Sequence, residues 1–151
     1  MTTIHELPSE IIQLDIMYIN GIPFVITTSC SIHFCMAELI KNEKSATIAT
    51  AIKQVIQIYH RRGFKVQYLL GDGQFEHIHK YFADSDITIN ITGRNEYVPA
   101  IERAIRMIKK RIGVIVNQLP FKAYPHRLIV EMVYNVVFWL NVFHTEMGYM
   151  T

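Results

Sequence analysis

Three carboxylates of the chain occupy places where carboxylates are unexpected unless they bind something. Asp15 interrupts the apolar run "QLDIMYI", Asp72 follows the apolar run "KVQYLL" between two glycines, and Glu102 opens a long amphipathic segment. An ionised carboxylate in a buried strand costs free energy unless it is paired or binds a metal. Two Asp and one Glu are hard oxygen ligands, which suit Mg²⁺ or Mn²⁺ and not zinc. The residue types therefore predict a divalent-metal site, provided that the fold brings the three together.

Each carboxylate also has an ordinary explanation when it is taken alone. Asp15 would be unremarkable on the solvated face of an edge strand or beside a lysine. Glu102 precedes Arg106 and Lys109 by four and seven residues, so the three share one helical face. Such a face is usually a solvated, salt-bridged surface. If the two aspartates lie beside it, the same face becomes a metal ligand followed by a track of phosphate-binding cations.

The elements that must position these residues are predicted from apolar patterning and turn residues. Three strands come first, with Asn20-Gly21 as a two-residue hairpin turn. Ser45 is the predicted N-cap of the first helix and Gly63 is its predicted end. The predicted strands are "IIQLDIMYI", "IPFVITTSCS", "HFCMAELI", "KVQYLL" and "ITINIT"; the predicted helices are "SATIATAIKQVIQIYHRRG", "FEHIHKYFADS", a long helix from Val98–Pro99 to Pro120, and a last helix from about Pro125.

This order of elements predicts an α/β fold whose mixed sheet is covered by helices on both faces. The helix after the third strand is long enough for a right-handed crossover, so "KVQYLL" is expected to lie parallel beside the first strand. Asp15 would then lie on a central strand, and Asp72 would end its neighbour. Open α/β sheets place their sites at such carboxyl ends. Gly71 and Gly73 are expected to leave backbone room there for a bulky ligand.

Length and composition predict one folded domain that spans residues 1–151. Half of the residues are hydrophobic and 19% are charged, which excludes a disordered chain. The amino terminus "MTTIHELPSE" lacks the pattern of a signal peptide. The formal net charge is only +2, but basic residues are concentrated in the long helix: Arg103, Arg106, Lys109, Lys110 and Arg111.

The cysteines and the most apolar segment indicate whether the chain is intracellular and whether it crosses a membrane. Cys30 and Cys35 have no partner pair that would complete a zinc site, and they are predicted to be reduced, half-buried thiols of an intracellular protein. The segment "RLIVEMVYNVVFWLNVF" is interrupted by Glu131, Asn135 and Asn141, which predicts a buried core helix and not a membrane span. Its aromatic side chains are predicted to belong to the core or to a subunit interface: Tyr134, Phe138, Trp139 and the adjacent Phe143.

Three motifs follow one another in an order that is typical of one family. "LDIMYINGIPFVITTSCS" carries Asp15 and its hairpin, and "LLGDGQFEHI" carries Asp72. "VPAIERAIRMIKKRIGVIVNQLP" carries Glu102, followed by basic residues and a "LP" helix end. Over nearly its whole length the chain resembles the catalytic core of a retroelement integrase, and the last motif is similar to the glutamate helix of copia-type retrotransposon integrases.

The resemblance implies a ribonuclease H-like fold with a mixed five-stranded sheet flanked by helices. It also implies that Asp15, Asp72 and Glu102 are the catalytic residues and hold two divalent metal ions, Mg²⁺ or Mn²⁺. The implied reactions are the trimming of the 3′ ends of element DNA and the transfer of the new 3′ hydroxyls to target DNA.

The resemblance also implies which partners the chain has. Arg106, Lys109 and Lys110 would bind double-stranded DNA through its phosphates, which gives affinity more than sequence choice. A homodimer or higher oligomer is implied, located in the nucleus or in a virus-like particle. No zinc module precedes the motifs and no small β-barrel follows them, which predicts that the sequence is a piece of a larger polyprotein.

Two alternatives fit parts of the sequence. A ribonuclease H needs a carboxylate on the first long helix, and "SATIATAIKQVIQIYH" contains none. The second alternative is a catalytically inactive descendant of such an integrase, used only as a DNA-binding or oligomerisation scaffold. It is favoured by the stretch between Asp72 and Glu102, which is shorter at "ITGRNEYVP" than in the family that the chain resembles. Retention of all three carboxylates opposes it, because an unused buried acid costs stability. Glu96 in that stretch lacks basic residues on its own helical face and is not the predicted ligand.

Overall fold

The computed structural model describes residues 9–91, 99–120 and 122–143 of the chain. The shortened stretch with Glu96 and the amino-terminal segment therefore lie outside the described residues. The strands and helices occur in the predicted order. They are β1 (Ser9–Ile19), β2 (Ile22–Ser29), β3 (Cys35–Leu39), α1 (Ser45–Arg61), β4 (Lys65–Gly71), a 3₁₀ helix (Gly73–Phe82), β5 (Thr88–Ile91), α2 (Pro99–Gln118) and α3 (His126–Val142).

The five strands form one mixed sheet in the order β3-β2-β1-β4-β5. Pairing is antiparallel from β1 to β2 and from β2 to β3, whereas β1 pairs in parallel with β4 and β4 with β5. At the first hairpin Asn20 (φ 51°) and Gly21 (φ 77°) both have positive φ, as a two-residue hairpin turn of this hand requires. The predicted α/β class, the turn and the central place of β1 are confirmed.

Alternation along β1 divides its side chains between two cores. Ile12, Leu14 and Ile16 pack on the face covered by α1, in a cluster with the apolar stripe of that helix. Met17 and Ile19 pack on the other face with apolar residues of α2 and α3. Helices therefore flank the sheet on both sides, as predicted, and odd-numbered positions near the middle of β1 face α2.

The ends of α1 confirm one predicted signal and correct the other. Gly63 (φ 85°) follows the last turn, where its N–H donates to the carbonyl of His60 at 3.1 Å and the next N–H donates to the carbonyl of Tyr59 at 2.9 Å. This is the glycine-terminated hydrogen-bond pattern expected at a helix end. Ser45, however, is not the N-cap. The helix is capped by Lys44, whose carbonyl already accepts the N–H of Ile48 at 3.0 Å, so Ser45 lies inside the first turn.

Both cysteines are free thiols within the described residues, as predicted. Cys30 is half-buried, but Cys35 is fully buried, so the prediction of two half-buried thiols is wrong for Cys35. Burial raises the pKa of the Cys35 thiol to about 12, because a thiolate there would lose its hydration. Cys35 is therefore a small apolar core residue.

Helix α3 covers the open edge of β3 with polar side chains. Asn141 accepts the N–H of Cys35 at 2.9 Å and donates its amide nitrogen to the Cys35 carbonyl at 2.7 Å. The Tyr134 hydroxyl accepts the N–H of Leu39 at 3.2 Å. The asparagine that interrupts this apolar helix thus acts as a substitute for a neighbouring strand. No helix within the described ranges is both long and apolar enough to cross a membrane.

The Asn141→Ala variant is expected to lower the free energy of unfolding by about 1–3 kcal/mol, because it leaves an N–H and a carbonyl of an edge strand without partners. Urea unfolding followed by circular dichroism measures this loss. Asn135→Ala is the matched control, since Asn135 is exposed on the same helix and its replacement should change stability by less than about 0.5 kcal/mol. Equal losses in the two variants would contradict the assigned role of Asn141.

Candidate active site

Asp15 and Asp72 are brought side by side by the pairing of β1 with β4. The parallel register joins Gln13 to Leu70, and continuing it by two residues places Asp72 beside Asp15, just beyond the end of β4. Asp15 is half-buried in the middle of the central strand, and its Oδ1 accepts the N–H of Ile16 at 2.8 Å. The structure therefore places the two predicted aspartates near each other, just beyond the point where the parallel pairing of β1 with β4 ends.

The electrostatics of Asp15 place Glu102 and Lys109 in the same neighbourhood. Burial raises the pKa of Asp15, the hydrogen bond from Ile16 opposes that shift, and the negative charges of Asp72 and Glu102 raise the pKa further. Lys109 is close enough to lower it. Three carboxylates and one ammonium group therefore share one local field, with Asp15 at its centre.

Asp72 is exposed, and it begins the 3₁₀ helix. Its Oδ1 accepts the N–H of Gln74 at 3.0 Å, so this side chain caps the helix in addition to any other role. Gly71, which precedes Asp72, is needed for a different reason from the one predicted. A Cβ on Gly71 would lie 2.7 Å from Cδ2 of the buried Phe75 ring, so Gly71 makes room for this ring and not for a ligand. Of the two glycines that flank Asp72, Gly73 is the one beside open space, with no described atom within 4 Å of a Cβ built there.

Glu43 connects three segments beside Asp72 and was not predicted from the sequence. Its Oε1 accepts the hydroxyl of Tyr18, which lies on β1 three residues after Asp15. The same oxygen accepts Nε2 of Gln74 at 3.1 Å. The loop before α1 is thereby tied to both strand β1 and the first turn of the 3₁₀ helix. No local signal in the sequence marks Glu43, because both of these partners are distant in sequence.

Glu102 lies in the first turn of α2, and its side chain is exposed. The helix is fixed by its apolar face, where Ile101, Ile108 and Ile112 are buried against the sheet. The basic residues predicted to bind DNA are all exposed on this helix: Arg106, Lys109 and Lys110. The first turn has one more contact, because Oε1 of the buried Gln13 accepts the N–H of Ile101 at 3.0 Å.

The oxygen ligands of Asp15, Asp72 and Glu102 are of the type that a hard divalent cation prefers, although they are not arranged as a coordination sphere. Within the described residues, no group of three or more His, Cys, Asp or Glu side chains is arranged closely enough to hold a metal ion. Burial raises the pKa of Asp15 most, and the negative charges of Asp72 and Glu102 raise the pKa further. Oxygen-only donors that carry negative charge suit Mg²⁺ or Mn²⁺.

An exposed aromatic surface lies on α3. Phe138 is 60% exposed and Trp139 is 49% exposed, and the Trp139 and Phe143 rings stack at 5.2 Å. These two residues are therefore not part of the core. The rest of this surface consists of Tyr134, Val142 and Phe143.

Comparison with known proteins identifies the fold. No protein-family model and no curated protein sequence matches this chain. Among solved structures, the catalytic core domain of BIV integrase matches with a TM-score of 0.56 and 22% identity, over 88% of this chain and 81% of that one. The HTLV-2 integrase catalytic core domain in complex with magnesium matches in its dimeric form with a TM-score of 0.64 and 16% identity, over 89% of this chain and 86% of that one. Its trimeric form gives a TM-score of 0.61 and 15% identity, with the same coverage.

These similarities show the fold of the chain. It is the ribonuclease H-like fold of integrase catalytic cores, with a mixed five-stranded sheet flanked by helices, as predicted. At such low identity, the roles of individual residues have to be argued from this chain itself.

Proposed function

We propose that this chain is the catalytic core of a DNA integrase, a metal-dependent polynucleotidyl transferase. The observation that supports the proposal most is that the negative charges of Asp72 and Glu102 add to burial in raising the pKa of Asp15, beside the carboxyl end of β4. The HTLV-2 core of the same fold was solved in complex with magnesium, which supports a divalent-metal cofactor. The substrates would be element DNA ends and target DNA.

Asp15, Asp72 and Glu102 would hold two Mg²⁺ or Mn²⁺ ions between them. When bound, such a pair activates the attacking oxygen and stabilises the leaving oxygen of an in-line phosphoryl displacement. The chain prepares the site in two ways. The N–H of Ile16 donates to one Asp15 oxygen at 2.8 Å, and the N–H of Gln74 donates to one Asp72 oxygen at 3.0 Å, so the backbone orients one oxygen of each carboxylate.

Helix α2 would deliver the DNA phosphates to this site. Lys109 already contributes its charge to the field around Asp15, and Arg106 and Lys110 lie one turn before it and directly after it on the exposed surface. Cations in this position bind the sugar-phosphate backbone whatever its sequence. We therefore propose that these three residues bind the DNA strand next to the scissile phosphate.

The aromatic surface of α3 supports an oligomeric state. Large aromatic side chains at this exposure are typical of the buried centre of a protein–protein interface. The related HTLV-2 core was solved in dimeric and trimeric forms. We propose that the working unit is a homodimer or higher oligomer of this chain. A copia-type retrotransposon origin, with the chain acting in the nucleus or a virus-like particle, is the source that the "VPAIERAIRMIKKRIGVIVNQLP" motif favours.

One observation favours a second candidate, the inactive scaffold. The described carboxylates do not form a ready metal cluster, as a chain that had lost catalysis would also be expected to show. This candidate retains DNA binding through α2 and oligomerisation through α3, but it binds no Mg²⁺ at Asp15 and Asp72.

Titration of Mg²⁺ and Mn²⁺ into the wild type and the Asp72→Asn variant separates the two candidates. In the wild type we expect heat release and a rise in melting temperature, and in the variant we expect neither, because one of the two adjacent negative charges is gone. Asparagine keeps an oxygen that accepts the Gln74 N–H, so the helix cap survives. Asp72→Ala is the control for the cap and should lose about 1 kcal/mol of stability in addition.

The titration is run both with and without an element-end DNA duplex, since DNA phosphates complete many metal sites of this kind. Metal binding that is equal in wild type and Asp72→Asn under both conditions would refute the proposed site. Failure of the wild type to bind metal even with DNA would favour the scaffold.

A further inference from the structure

Gln13 is a buried polar residue of β1 whose role the proposed mechanism has not used. It is 8% exposed and lies two residues before Asp15, so the two side chains leave the same face of the central strand. Its amide makes two hydrogen bonds. Oε1 accepts the N–H of Ile101 at 3.0 Å in a buried contact, and Nε2 donates to Sγ of Cys30 at 3.2 Å.

The first of these contacts satisfies the amino terminus of α2 from a distant strand. The first N–H groups of a helix have no partner within the helix, and here the first residue is Pro99, which has no N–H at all. The N–H of Ile101 finds its acceptor 88 residues earlier in the sequence. A backbone N–H can only donate, so the N–H of Ile101 must face the oxygen of the Gln13 amide. The amide nitrogen then donates its hydrogen bond to the Cys30 sulfur. Both ends of the amide are therefore fixed.

The position of Ile101 makes this contact matter for the site. Ile101 is the neighbour of Glu102 in the first turn of α2, while Gln13 shares its strand and face with Asp15. We propose that Gln13 is a positioning residue that docks the first turn of α2 onto β1 and so sets the distance between Asp15 and Glu102. The inference rests on the proposed function, in which those two carboxylates share metal ions.

A purely structural role for Gln13 would have a different consequence. A cap that only stabilises α2 would change the melting temperature and leave metal affinity untouched in the folded protein. A cap that positions Glu102 would change metal affinity in a protein that remains folded, because displacement of one carboxylate weakens every ion that it shares. Groups that orient ligands typically alter metal affinity by about 10–100-fold.

The test compares Gln13→Met, which keeps the volume but loses the acceptor, with Cys30→Ala, which removes only the second hydrogen bond of the same amide. In Gln13→Met we expect faster hydrogen exchange at the Ile101 amide and a dissociation constant for Mg²⁺ raised by about 10–100-fold in calorimetry. The strand-cleavage rate should recover when Mg²⁺ is raised in proportion. Cys30→Ala should match the wild type in metal affinity and in Ile101 exchange.

The outcomes separate this inference from the proposed function. If the wild type binds Mg²⁺ and Gln13→Met binds it equally well, Gln13 does not position Glu102 and only this inference fails. If the wild type binds no metal, the proposed function fails and the inference fails with it. Gln13→Asn, whose amide is one methylene too short to reach Ile101, serves if the methionine variant does not fold. Unfolding of both variants would assign Gln13 to folding and overturn the positioning role.

Discussion

Replacing Asp15 with asparagine is expected to abolish DNA strand cleavage while leaving the fold intact. A metal-bound carboxylate centre contributes several kcal/mol to the stabilisation of the transition state, and each 1.36 kcal/mol is a factor of ten, so the loss should be about 10³-fold or more. The change removes one charge and no atoms of bulk, and the amide oxygen can still accept the N–H of Ile16. The measurement is cleavage of a labelled element-end duplex in Mg²⁺. The matched control is Asp84→Asn, which removes an exposed carboxylate beyond the 3₁₀ helix.

The same variant should be more stable than the wild type in metal-free buffer at neutral pH. Asp15 has a raised pKa in the folded protein, chiefly through burial and with further contributions from Asp72 and Glu102. Its contribution to stability is therefore fully present below the unfolded pKa of about 3.9 and is lost as pH rises through the folded value. The stability difference between Asp15→Asn and wild type should accordingly grow across that pH window. Unfolding of the variant at neutral pH would instead make Asp15 a structural residue.

The second large effect is expected at the contact of Gly71 with Phe75. Phe75→Ala should lower the free energy of unfolding by about 3–5 kcal/mol, because the ring is fully buried. Gly71→Ala should lower it by about 1–3 kcal/mol, because the new Cβ would meet the ring at 2.7 Å. In the double variant the added methyl enters the space that the ring has left, so the two losses should sum to more than the measured total.

Urea unfolding of the four proteins gives this coupling directly. Gly73→Ala is the internal control, since open space surrounds that position and stability should change by less than about 0.5 kcal/mol. Strictly additive losses for Gly71→Ala and Phe75→Ala would mean that the Phe75 ring is not the reason why position 71 requires a glycine.

The sequence was sufficient for the order of the elements, because each is encoded locally. Apolar patterning defined the strands and helices, and the Asn20-Gly21 dipeptide and Gly63 defined two of their ends by positive φ. The central place of β1 follows from the crossover rule, which predicts that Asp15 and Asp72 belong to neighbouring strands.

The sequence was not sufficient for contacts that depend on the partner of a side chain. Gly71 was expected to leave room for a ligand, but the ring of Phe75, four residues on, takes that space. Ser45 had the residue type of a cap, but the helix begins one residue too early for it to act as one. Gln13 and Glu43 find their partners in segments far away in the sequence, which no local pattern specifies. A polar residue inside an apolar run is the signal that the sequence offers, and Gln13 carries the same signal as Asp15 two residues before it.

The side chains of Asn141 and Tyr134 also affect whether copies of this chain can associate through the outer strands of their sheets. A bare outer strand lets a sheet continue from molecule to molecule without limit, which produces fibres. Here α3 occupies the hydrogen-bonding groups of β3 at Cys35 and Leu39, and the opposite outer strand, β5, has only four residues. Growth by sheet extension is therefore obstructed, and the same helix presents its rings to the outside.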